Sequence, residues 1–121
     1  MAKLLLFNLQ DPKKRQEILA LSLRLNIRVI DVPPQRQSAA IRDLLAGTAQ
    51  DGSVPAPFDR EMLVMNGFER GDLNFFLNEL RRTGCTVALK AVVTETNQYW
   101  SALQLYHALL AESAAMSGRP S

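Results

Sequence analysis

Glu61-Met62-Leu63-Val64-Met65, the run EMLVM at residues 61–65, sets four apolar side chains in succession behind one charge. So short a run of consecutive apolar residues reads as a strand covered on both faces. Residues 3–7 (KLLLF) read the same way, and these two strands belong at the centre of a sheet. Residues 27–32 (IRVIDV) form another strand, in which Arg28 and Asp31 suggest an edge. Residues 86–93 (TVALKAVV) are the fourth strand, the second edge.

Helical patterns separate these runs. Asp11-Pro12 supplies a capping oxygen followed by a residue already fixed at helical φ. Ile18, Leu21 and Leu25 then recur at helical spacing over residues 12–25, and Asn26 suits the left-handed residue that ends a helix. Ser38 is a cap for a short helix through Ile41, Leu44 and Leu45 that ends at Gly47. Gly71-Asp72 opens a helix carrying Leu73, Phe76, Leu77 and Leu80, closed by Gly84. Ser101 and Gln104 form a capping box, with Trp100 and Leu105 at the staple positions, for a last helix reaching about Ala115. Residues 118–121 read as a flexible tail.

The order βαβαβαβα predicts an α/β fold: a four-stranded, mainly parallel sheet in the order 2-1-3-4 with helices on both faces. A ferredoxin-like α+β sheet with extra helices, in the order 4-1-3-2, is the alternative, since it also centres the first and third strands. Residues 1–117 form one domain. Loop 48–60 (TAQDGSVPAPFDR) reads as a surface insertion, with a lid over a site as the sharper reading. A shift of 58 residues lays Leu4-Leu5-Leu6-Phe7-Asn8 on Met62-Leu63-Val64-Met65-Asn66. That match suggests a duplicated βαβ unit, residues 1–47 and 61–117.

Composition narrows the function classes. The chain has 121 residues, 47% of them hydrophobic and 21% charged, which is globular rather than disordered composition. Basic residues outnumber acidic ones by 14 to 12, too even a balance for a nucleic-acid footprint, and no aromatics interleave with Lys13-Lys14-Arg15. One Cys and one His cannot build a Cys/His zinc site, and no glycine-rich phosphate loop is present. No cofactor or metal is therefore expected. No apolar stretch approaches the roughly 20 residues of a membrane helix, and the expected location is cytoplasmic.

Two segments carry a resemblance. Glu61 to Phe68 (EMLVMNGF), then Leu89-Lys90-Ala91-Val92-Val93-Thr94 with Asn97 and Trp100, is similar to a small uncharacterised bacterial family, a domain of unknown function. The apolar start ending in Asn8 extends the similarity over most of the chain. The resemblance implies a compact bacterial cytosolic domain, and it implies no catalytic residues.

Ligands of parallel sheets sit beyond the carboxyl ends of the strands, where the strand order reverses. Asn8 and Asn66 follow the two central strands and would flank that crevice, unless each only serves its turn. Lys90 is a lysine among small and apolar strand residues, either a solvated edge charge or a contact for an anion. Thr94 and Asn97 stand beside the N-terminus of the last helix, where unpaired N–H groups favour anions. Trp100 is an interface anchor or a core staple. His107 and Cys85 lack activating partners in any recognised spacing.

These features point to a non-enzymatic binding or regulatory module for a small polar or anionic ligand, or a protein partner, at Asn8, Asn66, Lys90, Thr94 and Asn97. The alternative is a structural, oligomerising protein, a homodimer through a sheet edge or Trp100. An enzyme using Lys90 as acid, base or nucleophile is the third reading, and it requires a depressed lysine pKa.

Overall fold

The computed structural model describes residues 1–117, so the tail expected at 118–121 lies outside the described residues. Strand β1 (Lys3–Phe7) leads through helix α1 (Pro12–Arg24) to β2 (Arg28–Val32), a 3-10 turn (Pro34–Arg36) and the short helix α2 (Ile41–Ala46). Strand β3 (Met62–Asn66), α3 (Arg70–Arg82), β4 (Leu89–Val92), a second 3-10 turn (Asn97–Tyr99) and α4 (Ala102–Ser117) follow. The strands form one sheet in the order β2-β1-β3-β4, as the hydrophobic pattern predicts. The ferredoxin-like order also centres β1 and β3, but here the edge neighbour of β1 is β2.

Local chemistry sets most boundaries. Asp11 accepts from the backbone N–H groups of Lys13 (2.9 Å) and Lys14 (3.3 Å), with Pro12 at the first helical position. Asn26 takes the left-handed backbone (φ 58°), and Ile27 N–H returns to Ser22 O at 2.8 Å to close α1. Ile27 is thereby spent on the helix end, and β2 starts one residue later than the sequence suggests. Gly84 (φ 73°) and the bond from Cys85 N–H to Leu80 O (2.9 Å) end α3 identically. The Ser101–Gln104 capping box is present, with reciprocal bonds of 2.8 and 3.1 Å.

Three expectations are corrected. Ser38 does not cap α2; Ala40 holds that position without a side-chain bond. Its neighbours bond across to the start of α4 instead, Ile41 N–H to Trp100 O (2.8 Å) and Ala102 N–H to Ala39 O (3.1 Å). Strand β4 begins at Leu89 rather than residue 86, because its first partner on β3 is Met62. Helix α3 starts at Arg70 behind Glu69, ahead of the Gly71-Asp72 step.

Pairs β1–β2 and β3–β4 are parallel, but β1–β3 is antiparallel. The reason lies in the crossovers. From β1 the chain steps one way across the sheet and from β3 it steps the other way. Both connecting helices nevertheless pack on one face, α1 through Ile18 and Leu21 and α3 through Phe76 and Leu80, over Leu4, Leu6, Leu63 and Met65. Two crossovers of the same hand meet those conditions only when the strand pairs run in opposite directions. The opposite face packs Leu5, Phe7, Met62 and Val64 against α2 and α4 through Ile41, Leu44, Ala102 and Leu105.

The two halves therefore repeat one order of elements about a local two-fold axis. Leu5 faces Val64 at the middle of the antiparallel seam, and each is the third residue of its strand. Ala40 and Ser101, each the residue before its half's last helix, form a second antiparallel bridge. The strands superpose with a shift of one residue relative to the sequence match, so the counterpart of Asn8 (φ 59°) is Gly67 (φ 74°), the left-handed residue after β3, rather than Asn66.

Candidate functional site

A cavity of about 150 Å³ opens beside β2, lined by Lys3, Arg28, Ile30, Asp31, Val32 and Arg36 and by Leu44, Leu45, Ala46, Gly47 and Ala49 at and after the end of α2. Its charge comes from the strand register. Alternation puts Lys3 on the same face as Leu5 and Phe7, and Arg28 on the same face as Ile30 and Val32. Lys3 and Arg28 are register partners, so two cations stand side by side at the start of adjacent strands. Like charges directly opposite one another in a sheet are destabilising.

Part of this charge is engaged. Lys3 Nζ donates to Leu45 O at 2.8 Å, near the end of α2. Arg36 Nε donates to Asp51 Oδ1 at 2.8 Å. Asp31 accepts a two-point bond from Arg15, 2.9 Å at each oxygen, and this pairing holds the Arg15 guanidinium above its ordinary pKa. Arg28 forms no ion pair among the described residues. The cavity is left with excess positive charge at its Lys3–Arg28 end.

The second half shows how the cavity arises. The pair in register with the start of β3 and β4 is Met62–Leu89, both buried, where the first half has Lys3–Arg28. Helix α4 continues past that point, and its Leu109 and Leu110 pack against the core. Helix α2 stops after six residues at left-handed Gly47 (φ 77°). The corresponding space over β2 is therefore open.

The antiparallel seam disperses the residues singled out in the sequence. Asn66 pairs with Lys3 at one end of the sheet, whereas Asn8 follows Phe7, which pairs with Met62 at the other end. Asn8 Nδ2 donates to Phe58 O (2.9 Å) and Arg60 O (3.1 Å), fastening loop 48–60. Thr94 and Asn97 do lie together, but they satisfy each other. Thr94 N–H donates to Asn97 Oδ1 (2.7 Å), Asn97 N–H donates to Thr94 Oγ1 (3.0 Å), and Asn97 Nδ2 donates to Val92 O (3.1 Å). Lys90 is exposed on the edge strand, with Nζ 3.3 Å from Val87 O. Trp100 is half-buried against the α2–α4 core.

Read alone, Lys3 looks like a strand end and Arg28 like an edge charge. Their signal is the alternation Lys3-Leu5-Phe7 beside Arg28-Ile30-Val32, two otherwise apolar faces that each begin with a cation.

A wider, open groove of about 600 Å³ runs along α1 to the end of α3, beside Lys14 and Cys85. Lys14 Nζ bonds Glu61 at 2.7 Å, which raises the lysine pKa. Burial pushes the Cys85 thiol up, against a smaller opposing effect of Lys14. A raised pKa leaves less thiolate near neutral pH, and thiolate is the reactive form. Iodoacetamide at pH 7.5 is expected to label Cys85 at least roughly tenfold more slowly in the folded protein than in denaturant. Equal rates, read by intact mass, would contradict this burial.

Among the described residues no group of three or more His, Cys, Asp or Glu side chains is arranged to hold a metal, and no helix is long and apolar enough to cross a membrane. The molecule is thus one mixed four-stranded sheet with helices on both faces and a cationic cavity on one edge. Residues 61–116 match the model of a family described as a domain of unknown function (DUF3783). The match takes in the EMLVMNGF and LKAVVT segments and nearly all of the second half, while the apolar start at Asn8 lies outside it. No curated protein and no solved structure matches the chain.

Proposed function

We propose that the protein is a non-catalytic binding module that takes a small anion in the cavity beside β2. The observation that carries this reading is the in-register pair Lys3–Arg28, two cations on one face of one cavity. An anion between them would relieve their repulsion, and the guanidinium of Arg28 offers a donor fork suited to an oxyanion. Size sets a limit: 150 Å³ is the share of about five water molecules, well below the roughly 300 Å³ at which drug-sized ligand sites begin. A nucleotide does not fit this cavity. The proposal places the module in a bacterial cytosol, as the family resemblance implies, and derives its two halves from one duplicated unit, which the self-paired positions Leu5–Val64 and Ala40–Ser101 support.

The test is an amide NMR titration with sodium acetate at constant ionic strength. Shifts are expected at Lys3, Arg28, Ile30 and Gly47. Their absence at all four residues would remove the site. Arg28→Leu installs the residue type found at the equivalent place in β4. It is expected to abolish the acetate response and to stabilise the unliganded protein by roughly 0.2–1 kcal/mol in urea unfolding. Lower stability in this variant would mean that the cation pair is not under strain.

A further inference from the structure

We infer that the preferred anion is a short aliphatic monocarboxylate, a reading of ligand class that rests on the anion site proposed above. The cavity is two-ended. At the strand starts stand Lys3 and Arg28; most of the remainder is apolar, through Ile30, Val32, Leu44, Leu45 and Ala49, and the other two charged lining residues, Asp31 and Arg36, are ion-paired. A ligand that filled it would present an oxyanion to the cations and an apolar body to those side chains. Inorganic sulfate or phosphate has no apolar body and would leave that wall against water.

The charge balance favours one negative charge over two. The carbonyl of Leu45 near the end of α2 already accepts from Lys3 Nζ, so an acceptor shares that ammonium with any ligand. The carbonyl end of a helix carries partial negative charge, which opposes a dianion. Arg36 is neutralised by Asp51, and Asp31 by Arg15, so neither adds net charge to the lining. Arg28 remains the principal uncompensated group, and a planar carboxylate accepts two parallel bonds from its fork. The cavity's volume, the share of about five waters, suits a ligand of roughly that many heavy atoms, a carboxylate with two or three further carbons.

The experiment titrates the full-length protein, at constant ionic strength and pH 7.5, with sodium isobutyrate, sodium sulfate and neutral isobutyramide, following the Arg28, Ile30 and Gly47 amides. Isobutyrate is expected to saturate with a Kd at least tenfold below that of sulfate, with isobutyramide giving no saturable response. Arg28→Leu should abolish the isobutyrate response, and Ile30→Ala should weaken isobutyrate several-fold while leaving sulfate unchanged. Sulfate binding as tightly as isobutyrate would overturn the carboxylate class and leave the small-anion site standing. Saturable isobutyramide binding would overturn the role of charge. No response to either anion would overturn both readings.

Discussion

Phe58→Ala is expected to destabilise the protein by about 3–5 kcal/mol, the range for deleting a buried aromatic ring. Phe58 is buried although it belongs to the long connection between α2 and β3. Its ring stacks on Tyr106 with centroids 4.2 Å apart and lies 5.6 Å from Phe7, joining the loop to α4 and to the central strand at once. Aromatic pairs add roughly 0.5–1.5 kcal/mol beyond the area they bury, so the upper part of the range is expected. Thermal unfolding followed by circular dichroism should show a fall in Tm of roughly 10–20 °C. A fall of only a few degrees would mean that the loop rests on the core without anchoring there. Loop 48–60 is thus in part a core element: it reads as polar surface chain because Phe58 is its one large apolar ring, and small or polar residues surround it in the sequence.

Gln37→Leu is expected to cost about 2–4 kcal/mol. The Gln37 side chain is fully buried, and its amide forms two bonds with the backbone of Phe58: Nε2 donates to Phe58 O at 3.0 Å, and Oε1 accepts from Phe58 N–H at 2.9 Å. A side chain here does what a neighbouring strand would do for an isolated backbone segment. Leucine keeps most of the volume but strands the Phe58 N–H in the interior, and an unsatisfied buried group costs about 1–3 kcal/mol in addition to the lost bonds. Phe58 O keeps its bond from Asn8. The double variant with Phe58→Ala should lose less than the sum of the two single losses, because both act on one anchor. Urea unfolding of the four proteins checks this, and strict additivity would mean that the amide and the ring hold the loop independently.

Local signals in the sequence mark most helix ends, although Ser38 and Gly71-Asp72 do not mark the starts of α2 and α3. Asp11-Pro12, Asn26, Gly47, Gly84 and the Ser101–Gln104 pair each act within a few residues, and each stands at the helix end it marks. The strand order was legible because each central strand carries four consecutive apolar residues, Leu4 to Phe7 and Met62 to Met65. The direction of β3 was not, since the connection from β2 carries a 3-10 turn, a helix and a loop, and a connection of that length can return to the sheet either way. Asn8 and Asn66 lost their common crevice through that single reversal. Thr94 and Asn97 lie together, but a sequence does not show that their polar atoms are consumed by each other. Lys3 and Arg28 acquire meaning only once β1 and β2 are in register and α2 has ended early.

The seam that joins Leu5 to Val64 also has a bearing on stoichiometry. Two identical chains meeting at such an axis would be bound to carry the same side chain at every matching place, and any pocket would come in pairs. Here both partners are tethered in one polypeptide, so their encounter is intramolecular and independent of protein concentration. The two edges also differ: one carries Met62 and Leu89 beneath a full-length helix and serves the core, while the other carries Lys3 and Arg28 beneath a helix that stops short. On the proposed anion reading each chain has a single seat, and titration at the β2 edge should reach its end point at one ligand for each polypeptide.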